Sequence, residues 1–164
     1  GGAKRFSKEQ PTRSQLTQSA FLSGLYDIED GAMKDAQSPE DFRDVAQALR
    51  DLGQEEQDKY DNMPEGLQQG DTGQMLEERA QNCESWADEI EQRADELETA
   101  LEGVDAAWEA WQEFDRAEEE YDDEDPDAEE PEEPSEERPD GNTVEEARQT
   151  VIDEHRDVFD NNPF

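Results

Sequence analysis

One cysteine, one histidine and four lysines stand in a chain of 164 residues, and no run of apolar residues is longer than three. The lone Cys83 excludes an intramolecular disulfide framework and fits a reducing compartment. A single His155 cannot supply a Cys/His zinc site, and neither HExxH nor a glycine-rich phosphate loop occurs. Crossing a bilayer takes about 20 consecutive apolar residues, so no span is expected. Alternating β-branched residues are missing, which argues against strands. Basic residues are scarce as well, 14 against 50 acids for a net charge of −36. Nucleic-acid affinity comes from Lys and Arg that release counterions, so direct binding to a phosphate backbone is nearly ruled out on charge. With 30% hydrophobic residues and a mean hydropathy of −1.32, a large core is excluded too.

What is present is helical period. The opening Gly1-Gly2 reads as a cloning scar or trimmed terminus, and residues 1–13, with Lys4, Arg5, Lys8 and Arg13 against Glu9, read as a flexible basic arm. Leu16, Ala20, Leu25, Ile28 and Ala32 then mark a first amphipathic helix, weakened by Gly24 and Gly31. Ser38, Pro39, Glu40 and Asp41 are a helix start, followed by an apolar face of Phe42, Val45, Ala46, Leu49 and Leu52. That helix should fade near Tyr60, where Met63, Pro64, Gly66 and Gly70 are breakers. Asp71 or Thr72 can cap the next, in which Cys83, Ala87, Ile90, Ala94, Leu97 and Leu101 alternate by four and three, as in a helix packed along a partner helix. The expectation is an antiparallel hairpin of residues 39–60 and 73–101 across the turn at 61–72. Gly103 should interrupt or kink the pattern before Val104, Trp108, Trp111 and Phe114 continue it.

Residues 118–140 hold 15 acids, four prolines and one arginine. Such a segment cannot bury enough apolar surface to offset its ordering entropy, and it reads as a solvated acidic linker. Thr143 to Glu146 resemble a capping-box start for a short last helix. The domain reading is therefore a basic arm at 1–13, a helical domain at 14–117, a disordered acidic linker at 118–142 and a C-terminal helix and tail at 143–164. The fold class is all-α, a small helical bundle or antiparallel helical hairpin.

Catalysis finds little to work with. His155 falls in a short terminal helix, whereas a general base needs a rigid frame. Cys83 lies on an apolar seam beside Glu84, which raises a thiol pKa rather than activating it. Asp123, Asp125 and Asp127 have the 1, 3, 5 spacing of a calcium loop, but Ala128 stands where Gly is needed and Pro134 where the bidentate Glu belongs. No catalytic residue, cofactor or metal site is assigned, and the chain reads as a non-enzyme. Asn162-Pro163-Phe164 matches a short endocytic docking triplet, a length that recurs by chance.

The string Asp-Asn-Met-Pro-Glu-Gly-Leu-Gln-Gln-Gly-Asp-Thr-Gly-Gln-Met-Leu-Glu-Glu-Arg at 61–79 resembles a segment of uncharacterised acidic helical proteins of phages and bacterial mobile elements, in which such a turn precedes a long helix. That resemblance implies no activity, cofactor or site residue. Physically it is a helix stop, a turn anchored by Leu67 and a helix restart.

Carboxylates displayed along helices imitate the charge track of a nucleic acid, and the natural partner of such a surface is a basic, nucleic-acid-binding protein, bound by mimicry or inhibition. Trp108, Trp111 and Phe114 are candidate anchors for that partner, with Glu118, Glu119, Glu120, Asp122 and Asp123 as candidate charge contacts. The competing assignment for the aromatics is core packing. The alternative function is a structural or assembly component, self-associating through the heptad helix as a homo-oligomer, virion-related, with acidity that reflects a high-salt habitat. The location expected is cytoplasmic, or virion-associated for a viral protein.

Overall fold

The computed structural model describes residues 13–164, with side chains from Ala20 onward; residues 1–12 of the basic arm and the Leu16 side chain lie outside what is described. The described residues are all-α, without a strand. α1 (Arg13–Ile28) widens into a π-helical turn at Glu29–Met33, and α2 (Pro39–Asp61) is followed by the single turn α3 (Glu65–Gln68). α4 (Asp71–Glu120) is 50 residues long, about 75 Å at 1.5 Å per residue. α5 (Val144–His155) ends in a 3₁₀ turn at Arg156–Asp160.

α2 and α4 form the antiparallel hairpin read from their apolar faces. Phe42, Val45, Ala46 and Leu49 of α2 are fully buried against Cys83, Trp86, Ala87, Ile90, Ala94 and Leu97 of α4. Every position of the four-three seam from 83 to 101 is buried. Register is marked on the rim by arginine: Arg43 of α2 grips Asp95 at 2.9 Å and Glu98 at 2.6 Å, and Arg50 grips Asp88 at 2.7 Å and also Glu91. Solvent screens these exposed pairs, so burial of the seam supplies most of the stability.

Close approach of the two helices depends on Gly53. A Cβ there would stand 2.8 Å from the Cβ of Cys83 and 3.2 Å from the Ala80 carbonyl. The turn is tighter still, because a Cβ on Gly73 would lie 2.2 Å from the Gln68 carbonyl oxygen. Gly73→Ala is expected to lower stability by about 1–3 kcal/mol, as overpacking does; a melting midpoint unchanged within a degree would contradict this packing of α3 on α4.

Both strong helix starts use one device. Ser38 Oγ accepts from the Asp41 amide at 3.1 Å while the Asp41 carboxylate accepts from the Gln37 amide at 3.0 Å. At α5, Thr143 Oγ1 accepts from the Glu146 amide at 3.2 Å, and Glu146 accepts from the Asn142 amide at 2.7 Å. In each case the returning carboxylate reaches one residue before the cap.

Three expectations change. Neither Asp71 nor Thr72 caps α4: Gly70 stands at the cap without a side-chain bond, and Asp71 instead places its charge at the positive end of the helix dipole. Gly103 does not break or kink the helix into separate elements. One exposed glycine costs only about 1 kcal/mol against alanine, and buried Leu101 and Ala107 hold the chain on either side of it. α4 consequently runs to Glu120, three residues into the segment assigned to the linker.

The chain end closes the bundle. α5 runs back along α4, with Arg148 bonded to Asp105 at 2.5 Å and Asp157 to Arg93 at 2.6 Å. Ile152 and Val158 enter the core, and the Trp86 indole N–H donates to the Val158 carbonyl at 2.9 Å. The Asn162-Pro163-Phe164 triplet is used internally: Phe164 meets Phe21 edge-on at 4.9 Å, and Asn162 donates to Glu29 at 2.6 Å.

Candidate protein-interaction surface

Seven arginines among the described residues are engaged within the fold. Arg43, Arg50, Arg93, Arg138 and Arg148 each hold one or two carboxylates, Arg156 donates to the Ala36 carbonyl, and the Arg79 guanidinium lies 4.6 Å from the centre of the Phe21 ring. The remaining outward groups are overwhelmingly carboxylates. α4 alone carries 18 acids and three arginines, roughly one net negative charge per 5 Å of axis, about a third of the linear density of duplex DNA.

Past Leu101, α4 outruns α2. Val104, Trp108, Trp111 and Phe114 lie along this distal part and are half-buried, neither sealed in the core nor fully open. Trp111 and Phe114 pack edge to face with ring centres 5.4 Å apart. What covers the edge is the acidic segment. From Tyr121 to Asn142 the chain is irregular, and it turns back so that Ala128 to Glu132 line a cavity together with Ala117, Glu120 and Tyr121. Further along, the Trp111 indole N–H donates to the Glu136 carbonyl at 2.9 Å. Arg138 then sets its guanidinium 4.2 Å from the centre of the Trp111 ring and bonds both oxygens of Asp115, at 2.9 and 3.0 Å. Trp108, Trp111, Gln112, Asp115, Arg138, Pro139 and Gly141 enclose a cavity of about 100 Å³.

Of the residues singled out from sequence, the fold therefore brings Trp108, Trp111 and Phe114 together on one edge. Glu118, Glu119 and Glu120 form the last exposed turn of α4, and Asp122 and Asp123 follow it in the irregular chain, also exposed. Asp122 and Asp125 fold back to accept from the Glu124 and Asp127 amides, both at 3.0 Å, as in Asx turns. Among the described residues no group of three or more His, Cys, Asp or Glu could hold a metal ion. Asp115 and Arg138 escaped the sequence reading. The only available signal was that Arg138 is the sole cation between Arg116 and Arg148, and sequence does not say what a lone cation faces.

Bonding to Arg138 holds the Asp115 carboxyl below the usual carboxylate range and raises the guanidinium further. The sign follows: an acid whose folded pKa is depressed contributes stability that is present above its ordinary pKa and fades as pH falls through the depressed value. The contact of Arg138 with α4 is therefore expected to loosen below about pH 4, seen as a change in Trp111 fluorescence while helicity at 222 nm persists.

The other reactive groups are set apart from this edge. Burial, and then the neighbouring Glu56, push the Cys83 thiol up to about 12, so it is an inert core group. His155 Nδ1 lies 2.8 Å from the Val151 carbonyl, half-buried on α5. No helix among the described residues is long and apolar enough to cross a membrane. Comparison with known protein families, curated proteins and solved structures finds no match to this chain.

Proposed function

We propose that this chain is a non-enzymatic interaction protein whose acidic helical surface binds a basic, nucleic-acid-binding protein in place of nucleic acid. The observation that carries this reading is α4 itself, a 50-residue continuous helix whose carboxylates mostly face outward, while Arg79 and Arg93 of its three arginines are engaged within the fold. A rigid charge track can be approached by a protein evolved to grip phosphates, and its long-range field raises the association rate. Duration of binding then depends on a few desolvated groups, and at the distal edge of α4 aromatic rings and exposed carboxylates meet.

The alternative, an assembly component self-associating through the heptad seam, has less support. That seam is buried against α2 inside the same chain, so self-association would need another face.

The test is displacement. Added to complexes of basic DNA-binding proteins with labelled duplex DNA, the chain should release DNA at about 0.05 M salt and lose that ability near 0.5 M, as exposed charge pairs are screened. Retention of DNA at low salt across a panel of such proteins would remove the reading. Circular dichroism at both salts separates it from habitat adaptation, which predicts helix only in concentrated salt.

A further inference from the structure

Arg138 shows what chemistry the distal edge of α4 accepts. Its guanidinium lies over the indole of Trp111 at 4.2 Å and bonds both carboxylate oxygens of Asp115 at 2.9 and 3.0 Å. An aromatic face one helical turn from a carboxylate matches the two recognition elements of arginine, its flat stacking cation and its forked donors. Lysine, a compact point charge, can use only part of such a site. Phe114 braces the ring from the side, so both recognition groups and the brace belong to α4.

Three features make the covering segment displaceable. Arg138 and Asp115 are each about half exposed, 54% and 51% for their side chains, so solvent screens the pair and the ring contact is open to competition. The irregular segment from 121 to 140 carries 12 acids and folds back beside Glu120 at the end of α4, where like charges repel. Lastly, Arg138 is the only cation in that stretch, and apart from it the polar tie to the aromatic edge is the Glu136 carbonyl on the Trp111 indole.

We infer that Trp111 and Asp115 form an arginine-recognition site for an arginine-rich segment of a basic protein, and that Arg138 fills it in cis until such a segment takes its place. This deepens the reading above and rests on it for the natural ligand, but the site can be examined without that ligand. An internal competitor lowers apparent affinity by the fraction of molecules in which the site is open. A closed form favoured about tenfold leaves that fraction at about one in ten.

The probe is a nona-arginine peptide, with nona-lysine as its match in charge. Wild type and Arg138→Gln are titrated at about 0.15 M salt, with tryptophan fluorescence and the Trp111 indole N–H resonance as readouts. Arg138→Gln should bind nona-arginine up to about tenfold more tightly than wild type and prefer it to nona-lysine. Trp111→Leu and Asp115→Asn should lose that preference while keeping salt-sensitive binding. In wild type, the peptide should shift the Trp111 indole resonance as the Glu136 carbonyl departs, a readout that needs no variant to fold. Equal affinity of wild type and Arg138→Gln, no preference for arginine, or an unmoved indole resonance would each reduce Arg138 to an internal staple. The two readings fail separately. Arginine preference without displacement of DNA from any basic protein overturns the proposed function and leaves the site standing, whereas displacement without arginine preference does the reverse.

Discussion

Trp86→Ala is expected to cost about 3–5 kcal/mol, enough to unfold a domain of ordinary stability. The ring is 1% exposed at the centre of the seam, packed in the cluster that also holds Phe42, Ile90 and Val158. It also carries a bond that no aliphatic residue can replace, from its indole N–H to the Val158 carbonyl at 2.9 Å. Trp86→Phe should separate the two contributions. It retains most of the volume but leaves a buried carbonyl without its donor, for about 1–3 kcal/mol. The C-terminal 3₁₀ turn should detach first, visible as faster amide exchange from Arg156 to Asp160. Helicity at 222 nm during thermal melting checks both variants, and a Trp86→Ala midpoint within a few degrees of wild type would refute the core described above.

The second large effect concerns two buried charges. Glu56 of α2 is fully buried and Arg79 of α4 is 8% exposed, and each keeps one polar atom, Oε2 and Nη1, without a hydrogen-bond partner. Glu56 Oε1 reaches Lys59 at 3.3 Å, and Arg79 rests on the Phe21 ring. Burial pushes the Glu56 carboxyl above the usual carboxylate range, against the pull of Lys59 and Arg79, and burial lowers the Arg79 guanidinium. Arg79→Leu is expected to cost about 3 kcal/mol at pH 7, since it leaves Glu56 buried with less compensation. Adding Glu56→Leu should restore stability to wild type or above, because a buried charge pair is seldom better than apolar packing of similar volume.

The pH dependence provides an independent check. An acid whose folded pKa is raised binds its proton more tightly in the native state, so stability is higher below its ordinary pKa and declines as pH rises through the raised value. Arg79→Leu removes one of the charges that hold Glu56 down. Its stability should therefore fall over a window reaching higher in pH than in wild type. The double variant should lose this component, leaving only the shared slope from surface carboxylate repulsion. Denaturant unfolding of the three proteins between about pH 5 and pH 8 measures the difference; parallel curves would mean that Glu56 does not sense Arg79.

Local chemistry determined much of this molecule. The serine and threonine caps, the apolar face from Phe42 to Leu52 and the four-three spacing from Cys83 to Leu101 act within a turn or two of helix, and each is legible because a helix repeats its face every three to four residues. Net charge and the lack of long apolar runs likewise follow from composition. The long-range pairings came from tertiary structure alone. Glu56 and Arg79 sit among polar residues in sequence, and only docking of α1 and α4 on α2 encloses them. Gly103 resembled an interruption because local cost was visible and the packing of Leu101 and Ala107 was not. The contact of Arg138 with Asp115 spans 23 residues of acidic chain, and composition does not say where such a chain returns. Spacing placed the aromatic edge on one face of α4, but which group covers that edge depends on where the chain returns in space.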